Sequence, residues 1–86
     1  MTTFSTWTHP ATGAVRIYIN GFGSTKVWVE EQAADSFGDT IRIVAVNSNR
    51  NRSELGNTIN DAERVINQAA GKRIKLFSEL LALASK

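Results

Sequence analysis

The chemistry open to this chain is set first by what it lacks. It has no cysteine and a single histidine, His9. That excludes disulfides, thiolate metal sites and cysteine nucleophiles, and leaves a conventional zinc site without enough nitrogen or sulfur donors. A serine–histidine–acid site needs convergence in space, which spacing alone does not predict, and His9 beside Pro10 reads as a turn residue. Glu30, Glu31, Asp35 and Asp39 gather carboxylates near one another in the chain, but their spacing does not match a calcium loop. Gly21-Phe22-Gly23 is glycine-rich, yet it joins two expected strands, whereas a phosphate cradle leads into a helix N-terminus. No residue pair makes a case for general acid–base catalysis. The sequence therefore predicts no enzyme, no cofactor and no metal.

What remains is recognition. The stretch AVRIYINGFGSTKVWVEE (Ala14–Glu31) alternates: Val15, Ile17, Ile19, Val27 and Val29 hold odd positions, and Arg16, Tyr18, Lys26, Trp28 and Glu30 hold even ones. Period-two alternation marks half-buried strands, so the odd set faces a core. The even set mixes aromatic rings with charge, and Trp, Tyr and Arg are the residue types enriched at interface hot spots.

These residues need a sheet to hold them. Strands are expected over Thr3–Thr8, Val15–Asn20, Lys26–Glu31 and Thr40–Val46. Pro10-Ala11-Thr12-Gly13 supplies a tight turn, Gln32–Asp39 a polar connection with room for one helical turn, and Asn47–Ser53 a loop. Leu55, Ile59, Ala62, Ile66 and Ala69 then form one apolar helical stripe, with Val65 beside it. Ser53 or Thr58 would cap its start, and Gly71 would end it. A second helix is expected over Lys72–Ser85, with Ile74, Phe77, Leu80, Leu81 and Ala84 on one face; a short strand over Arg73–Phe77 is the alternative. Strands followed by helices predict one α+β domain: an antiparallel four-stranded meander (1–46) with two C-terminal helices (53–85) packed on it.

Parity restricts the register, because a one-residue slip would move every side chain to the other face. A three-residue loop, Gly21–Gly23, sets Arg16 opposite Trp28 and Tyr18 opposite Lys26. A five-residue loop, Gly21–Thr25, sets Tyr18 opposite Trp28 and Arg16 opposite Glu30. In the first hairpin, pairing of His9 with Ala14 sets Trp7 opposite Arg16 and Phe4 opposite Ile19. Trp7 thereby joins Arg16, Tyr18, Lys26 and Trp28, and the last strand adds Arg42, Val44 and Val46 to the same face. The ordinary alternative to a binding face is cover: the second helix would lie over Tyr18 and Trp28 through Ile74, Phe77 and Leu80, since a small domain rarely leaves much aromatic area wet.

Two basic clusters lie outside the sheet. Arg50 and Arg52 lie in a loop and could contact phosphate or an acidic partner. Lys72, Arg73 and Lys75 follow the end of the first helix, where its dipole favours positive charge. Leu76 and Leu83 lie off the main stripe of the second helix and offer a homodimer contact, which would help so small a domain.

The chain has 86 residues, a net charge of +2, 42% hydrophobic and 21% charged residues. These values fit one ordinary globular domain. The charge is too mild to announce nucleic acid. Met1–Pro10 has neither the basic nor the apolar region of a signal peptide, and no apolar run approaches the roughly 20 residues that span a bilayer. Without disulfides, the expectation is a cytoplasmic protein with no membrane contact.

In its length, lack of cysteine, sheet-plus-helix plan and absence of catalytic motifs, the chain resembles the small accessory proteins of bacteriophages and mobile elements, including anti-CRISPR-type inhibitors. The resemblance implies a host macromolecule as target and carries over no site residues. Many such inhibitors are acidic mimics of nucleic acid, whereas this chain is slightly basic. The expected function is non-enzymatic protein binding, of the kind that blocks a host complex, with Trp7, Arg16, Tyr18, Lys26, Trp28, Arg42, Arg50 and Arg52 as contacts. The alternatives are a small nucleic-acid-binding protein using the aromatic and basic sheet face, and an oligomeric structural or assembly protein.

Overall fold

The computed structural model describes residues 3–34 and 38–85. Strands β1 (Thr3–Thr8), β2 (Val15–Asn20), β3 (Lys26–Ala34) and β4 (Gly38–Val46) form one antiparallel sheet in the order β1-β2-β3-β4. Helices α1 (Arg52–Ala70) and α2 (Phe77–Ala84) follow. This is the α+β meander with two C-terminal helices that the pattern implies.

His9 builds the first turn. Its Nδ1 accepts the backbone N–H groups of Ala11 at 3.1 Å and Thr12 at 3.3 Å. Its own N–H donates to the Ala14 carbonyl at 2.8 Å. Gly13 takes φ 75° there, a left-handed conformation that costs glycine little. The β1–β2 register sets Trp7 opposite Arg16 and Phe4 opposite Ile19.

Between β2 and β3 the five-residue loop prevails: Arg16 pairs with Glu30, Ile17 with Val29 and Tyr18 with Trp28. The longer loop lets Phe22 fold back onto the core. It also brings Thr25, 9% exposed, to the Asn47 amide, which donates to its hydroxyl at 2.9 Å. This last bond ties the loop to the end of β4.

The polar connection expected over Gln32–Asp39 is mostly strand. β3 runs on to Ala34 and β4 begins at Gly38, paired as Gln32–Thr40, Ala33–Asp39 and Ala34–Gly38. Backbone pairing needs no apolar side chains, so composition did not report it. A helical turn in this stretch is excluded by these pairs, apart from residues 35–37, which lie outside the described residues.

Helix α1 is capped neither by Ser53 nor by Thr58. Asn51 is the cap, its side chain accepting the Glu54 N–H at 2.8 Å. Thr58 lies inside the helix, its hydroxyl donating to the Glu54 carbonyl at 3.1 Å. Gly71 ends the helix at φ 71°, its N–H donating to the Asn67 carbonyl. The buried stripe turns as it climbs: Ala62 and Ile66 are buried, but Ala69 is exposed and Ala70 packs on the core in its place. A 3.6-residue period drifts against a strict heptad in this way.

The second helix begins at Phe77, not Lys72. Residues 72–76 are not helical, and Leu76 makes an antiparallel bridge to Thr40, a fragment of the short strand weighed as the alternative. Here Asn67 overrides the helical spacing. Its Oδ1 accepts the Ile74 N–H at 2.9 Å and holds Ile74 in the core without a helical turn.

Both helices lie on one side of the sheet. Ile17, Ile19, Val27 and Val29 form a single buried cluster with Ala62, Ile66, Ile74, Phe77 and Leu80. Helix α2 therefore covers the odd face, and the expectation that it would roof Tyr18 and Trp28 fails. The two helices share that side: α1 packs mainly against β4, and α2 lies against β1, β3 and β4.

Candidate functional site

The outer face is organised in cross-strand rows. One row runs Trp7, Arg16, Glu30, Arg42; the next runs Ser5, Tyr18, Trp28, Val44. Farther along, Lys26 pairs with Val46, and Thr3 with Asn20. Parity on four paired strands puts all of these on one side.

Arg16 is the centre. Its guanidinium carbon lies 5.3 Å from the Trp7 ring centroid and 4.7 Å from that of Trp28. It is thus held by two aromatic rings, each within cation–π range. Its Nη1 donates to the Tyr18 hydroxyl at 3.2 Å, and its Nε lies 3.6 Å from the Glu30 Oε1. The same Oε1 accepts the Trp28 indole N–H at 2.8 Å. Tyr18 and Trp28 meet as a tilted pair, with centroids 5.6 Å apart. Trp7 touches His9 edge-on at 5.5 Å.

Each group limits the freedom of the others. Planar rings on paired strands have few rotamers to lose, and a guanidinium between two rings keeps its charge while losing mobility. Such preorganisation lowers the entropy lost when a partner binds. The surface remains accessible: Trp7 is 40% exposed, and the Arg16 and Glu30 side chains are about one-third exposed, at 33% and 32%. Water screens the ion pair at that exposure, so its contribution is of order 0–1 kcal/mol.

Sequence reasoning placed Glu30 on this face but not among the contacts, although it joins Arg16 to Trp28. The signal was available in the five-residue register, which sets Glu30 opposite Arg16. Also missed was a cleft of about 480 Å³ between the first turn and α2, whose lining includes His9, Val15, Glu30, Phe77 and Leu81.

The other expected contacts divide. Lys26 and Arg42 are exposed, and Arg42 lies beside Glu30 in the Trp7 row. Arg50 and Arg52 follow Val46, at the far end of the sheet from that row. Arg50, just before the helix cap, lies 3.8 Å from Glu54, and Arg52 is the first residue of α1. The structure thus gathers Trp7, Arg16, Tyr18 and Trp28 but leaves Arg50 and Arg52 apart. Of the second basic cluster, Lys72 pairs with Glu79 at 3.0 Å. Leu83 packs against the core, whereas Leu76 bridges Thr40 through its backbone and keeps its side chain 37% exposed.

Of the four carboxylates grouped in the chain, only Glu30 and Glu31 have described side chains. Glu30 turns to Arg16 and Trp28, while parity sends Glu31 to the opposite face. Asp35 and the side chain of Asp39 lie outside the described residues. Among the described residues no helix is long and apolar enough to cross a membrane. Comparison with family models, curated proteins and solved structures finds no match to this chain.

Proposed function

We infer that this protein is a non-enzymatic binding module that recognises another protein through the outer face of its sheet. The observation that carries this reading is the stack of Trp7, Arg16 and Trp28 on a face that neither helix covers. Hot spots of protein interfaces are made of these residue types, held rigid and rimmed by charge. Lys26 and Arg42 provide the rim. Arg50 and Arg52, at the far end, are left out of the contact set.

The charge pattern favours protein over nucleic acid. Along the first row Arg16, Glu30 and Arg42 alternate in sign, whereas a phosphate backbone selects an uninterrupted basic track. The ring faces that would stack on bases are also partly occupied by Arg16. The resemblance to anti-defence inhibitors of bacteriophages suggests which partners to try first, namely bacterial host complexes.

Affinity capture with wild type, Trp28→Ala and Arg50→Ala, each confirmed folded by circular dichroism, tests the reading. A protein retained by wild type and Arg50→Ala but lost by Trp28→Ala is expected. Equal retention by all three would remove the outer face as the contact. Oligonucleotide titration at low salt separates the alternative: micromolar binding that falls steeply with salt would favour nucleic acid.

A further inference from the structure

The two edges of the sheet are treated differently. The outer edge of β4 is engaged at Thr40 by the bridge from Leu76, and α1 packs against the same strand. The outer edge of β1 pairs with nothing else in the sheet. Natural proteins protect such an edge with charge, proline or a bulge. β1 has none of these. Its residues, Thr3–Thr8, are TFSTWT, paired with β2 without interruption. It is also the one strand without a charged residue: β2 has Arg16, β3 has Lys26, Glu30 and Glu31, and β4 has Asp39 and Arg42.

The hydrogen-bond phase of that edge follows from the turn. The His9 N–H donates to the Ala14 carbonyl, so His9–Ala14 is a hydrogen-bonded pair. Such pairs alternate along an antiparallel ladder. Trp7–Arg16, Ser5–Tyr18 and Thr3–Asn20 are therefore the next, and the peptide groups of Phe4, Thr6 and Thr8 point away from β2.

We propose that β1 is a self-association edge, on which a second copy of this chain adds its own β1 antiparallel about a two-fold axis at Thr6. That centre uses every outward peptide group. Thr6 pairs with Thr6 of the second copy, and Phe4 with Thr8 of the second copy in both directions. Among the described residues, a centre at Ser5 gives Thr8 no partner. The side chains suit the same axis. Two threonine hydroxyls meet on the helix side, Ser5 meets Trp7 of the second copy on the outer side, and no like charges meet. A two-fold brings the same patch together from both copies, so it must be self-complementary, and this neutral strand is. The product is a continuous eight-stranded sheet with both Trp7–Arg16–Trp28 clusters on one face. Only the backbone phase and the composition of β1 enter here, so self-association at this edge is independent of the proposed function.

Sedimentation equilibrium from micromolar to millimolar protein reads the association, starting from a 9.4 kDa monomer. Wild type is expected to double in mass with rising concentration. Thr6→Lys, at an exposed position, sets like charges opposite one another and should stay monomeric. Because the chain has no cysteine, Thr6→Cys provides a clean second probe. Residues opposed across such a pair have Cα atoms about 5.5 Å apart, within disulfide range, so it should cross-link readily under mild oxidation. Ser5→Cys, facing Trp7 of the second copy and not itself, should not. Wild type that stays monomeric at every concentration, a dimer that survives Thr6→Lys, or equal cross-linking of the two cysteine variants would each overturn the proposal.

Discussion

Arg16 and Ile17 are neighbours in the chain and lie on opposite sides of the same strand. Ile17 has no exposed surface and is enclosed in the cluster beneath the two helices. The Arg16 side chain, one-third exposed, is held by two tryptophans, a tyrosine and a glutamate, with no covering layer. The inner face is held by burial, at about 25 cal/mol per Å² of apolar surface removed from water. The outer face is held by direct contacts between side chains, each worth about 0.5–1.5 kcal/mol. A face built the first way must be covered for the protein to fold. A face built the second way stays ordered while open, which is what a recognition surface requires.

The contrast can be broken most severely from the inside. Leu80 has no exposure and lies between helix and sheet; Leu80→Ala should cost about 3 kcal/mol, read as a lower urea midpoint with little change in slope. Trp28→Ala should cost less, about 1–2 kcal/mol, because it removes a ring pair, a cation–π contact and one hydrogen bond but no fully buried surface. If Trp28→Ala proved as costly as Leu80→Ala, the outer face would be core in disguise. Asn51→Ala, which removes the cap of α1, should cost about 1 kcal/mol and leave the outer face untouched. Arg50→Ala should shift stability by no more than about 0.5 kcal/mol, since its ion pair is half exposed.

The two faces were not equally legible in the sequence. Period-two alternation identified both, and parity correctly assigned Trp7 to the Arg16 side, because register and face are the same information in a strand. What alternation could not say was where the second helix would lie. Phe77 and Leu80 define an apolar stripe without naming the surface it meets. Ile74 extends that stripe in spacing but is reached by non-helical chain, held by an Asn67 side chain that no periodicity reports. The length of β3 was hidden for a related reason: Gln32, Ala33 and Ala34 pair through their backbones and show no alternation. The Arg16–Glu30 pairing was legible as one of two registers, but the bond from the Trp28 indole to Glu30, two residues along the same strand, was not.

The central claim is that the outer face stands open to solvent while ordered. Both tryptophans of the chain lie on it, so acrylamide quenching of native-state fluorescence reads that face directly. With Trp28→Phe, the remaining emission belongs to Trp7 alone. The account predicts Trp7 emission red-shifted from that of a buried indole and readily quenched by acrylamide in the folded protein. Blue-shifted emission protected from acrylamide in the folded protein would mean that the face is covered, and would contradict it.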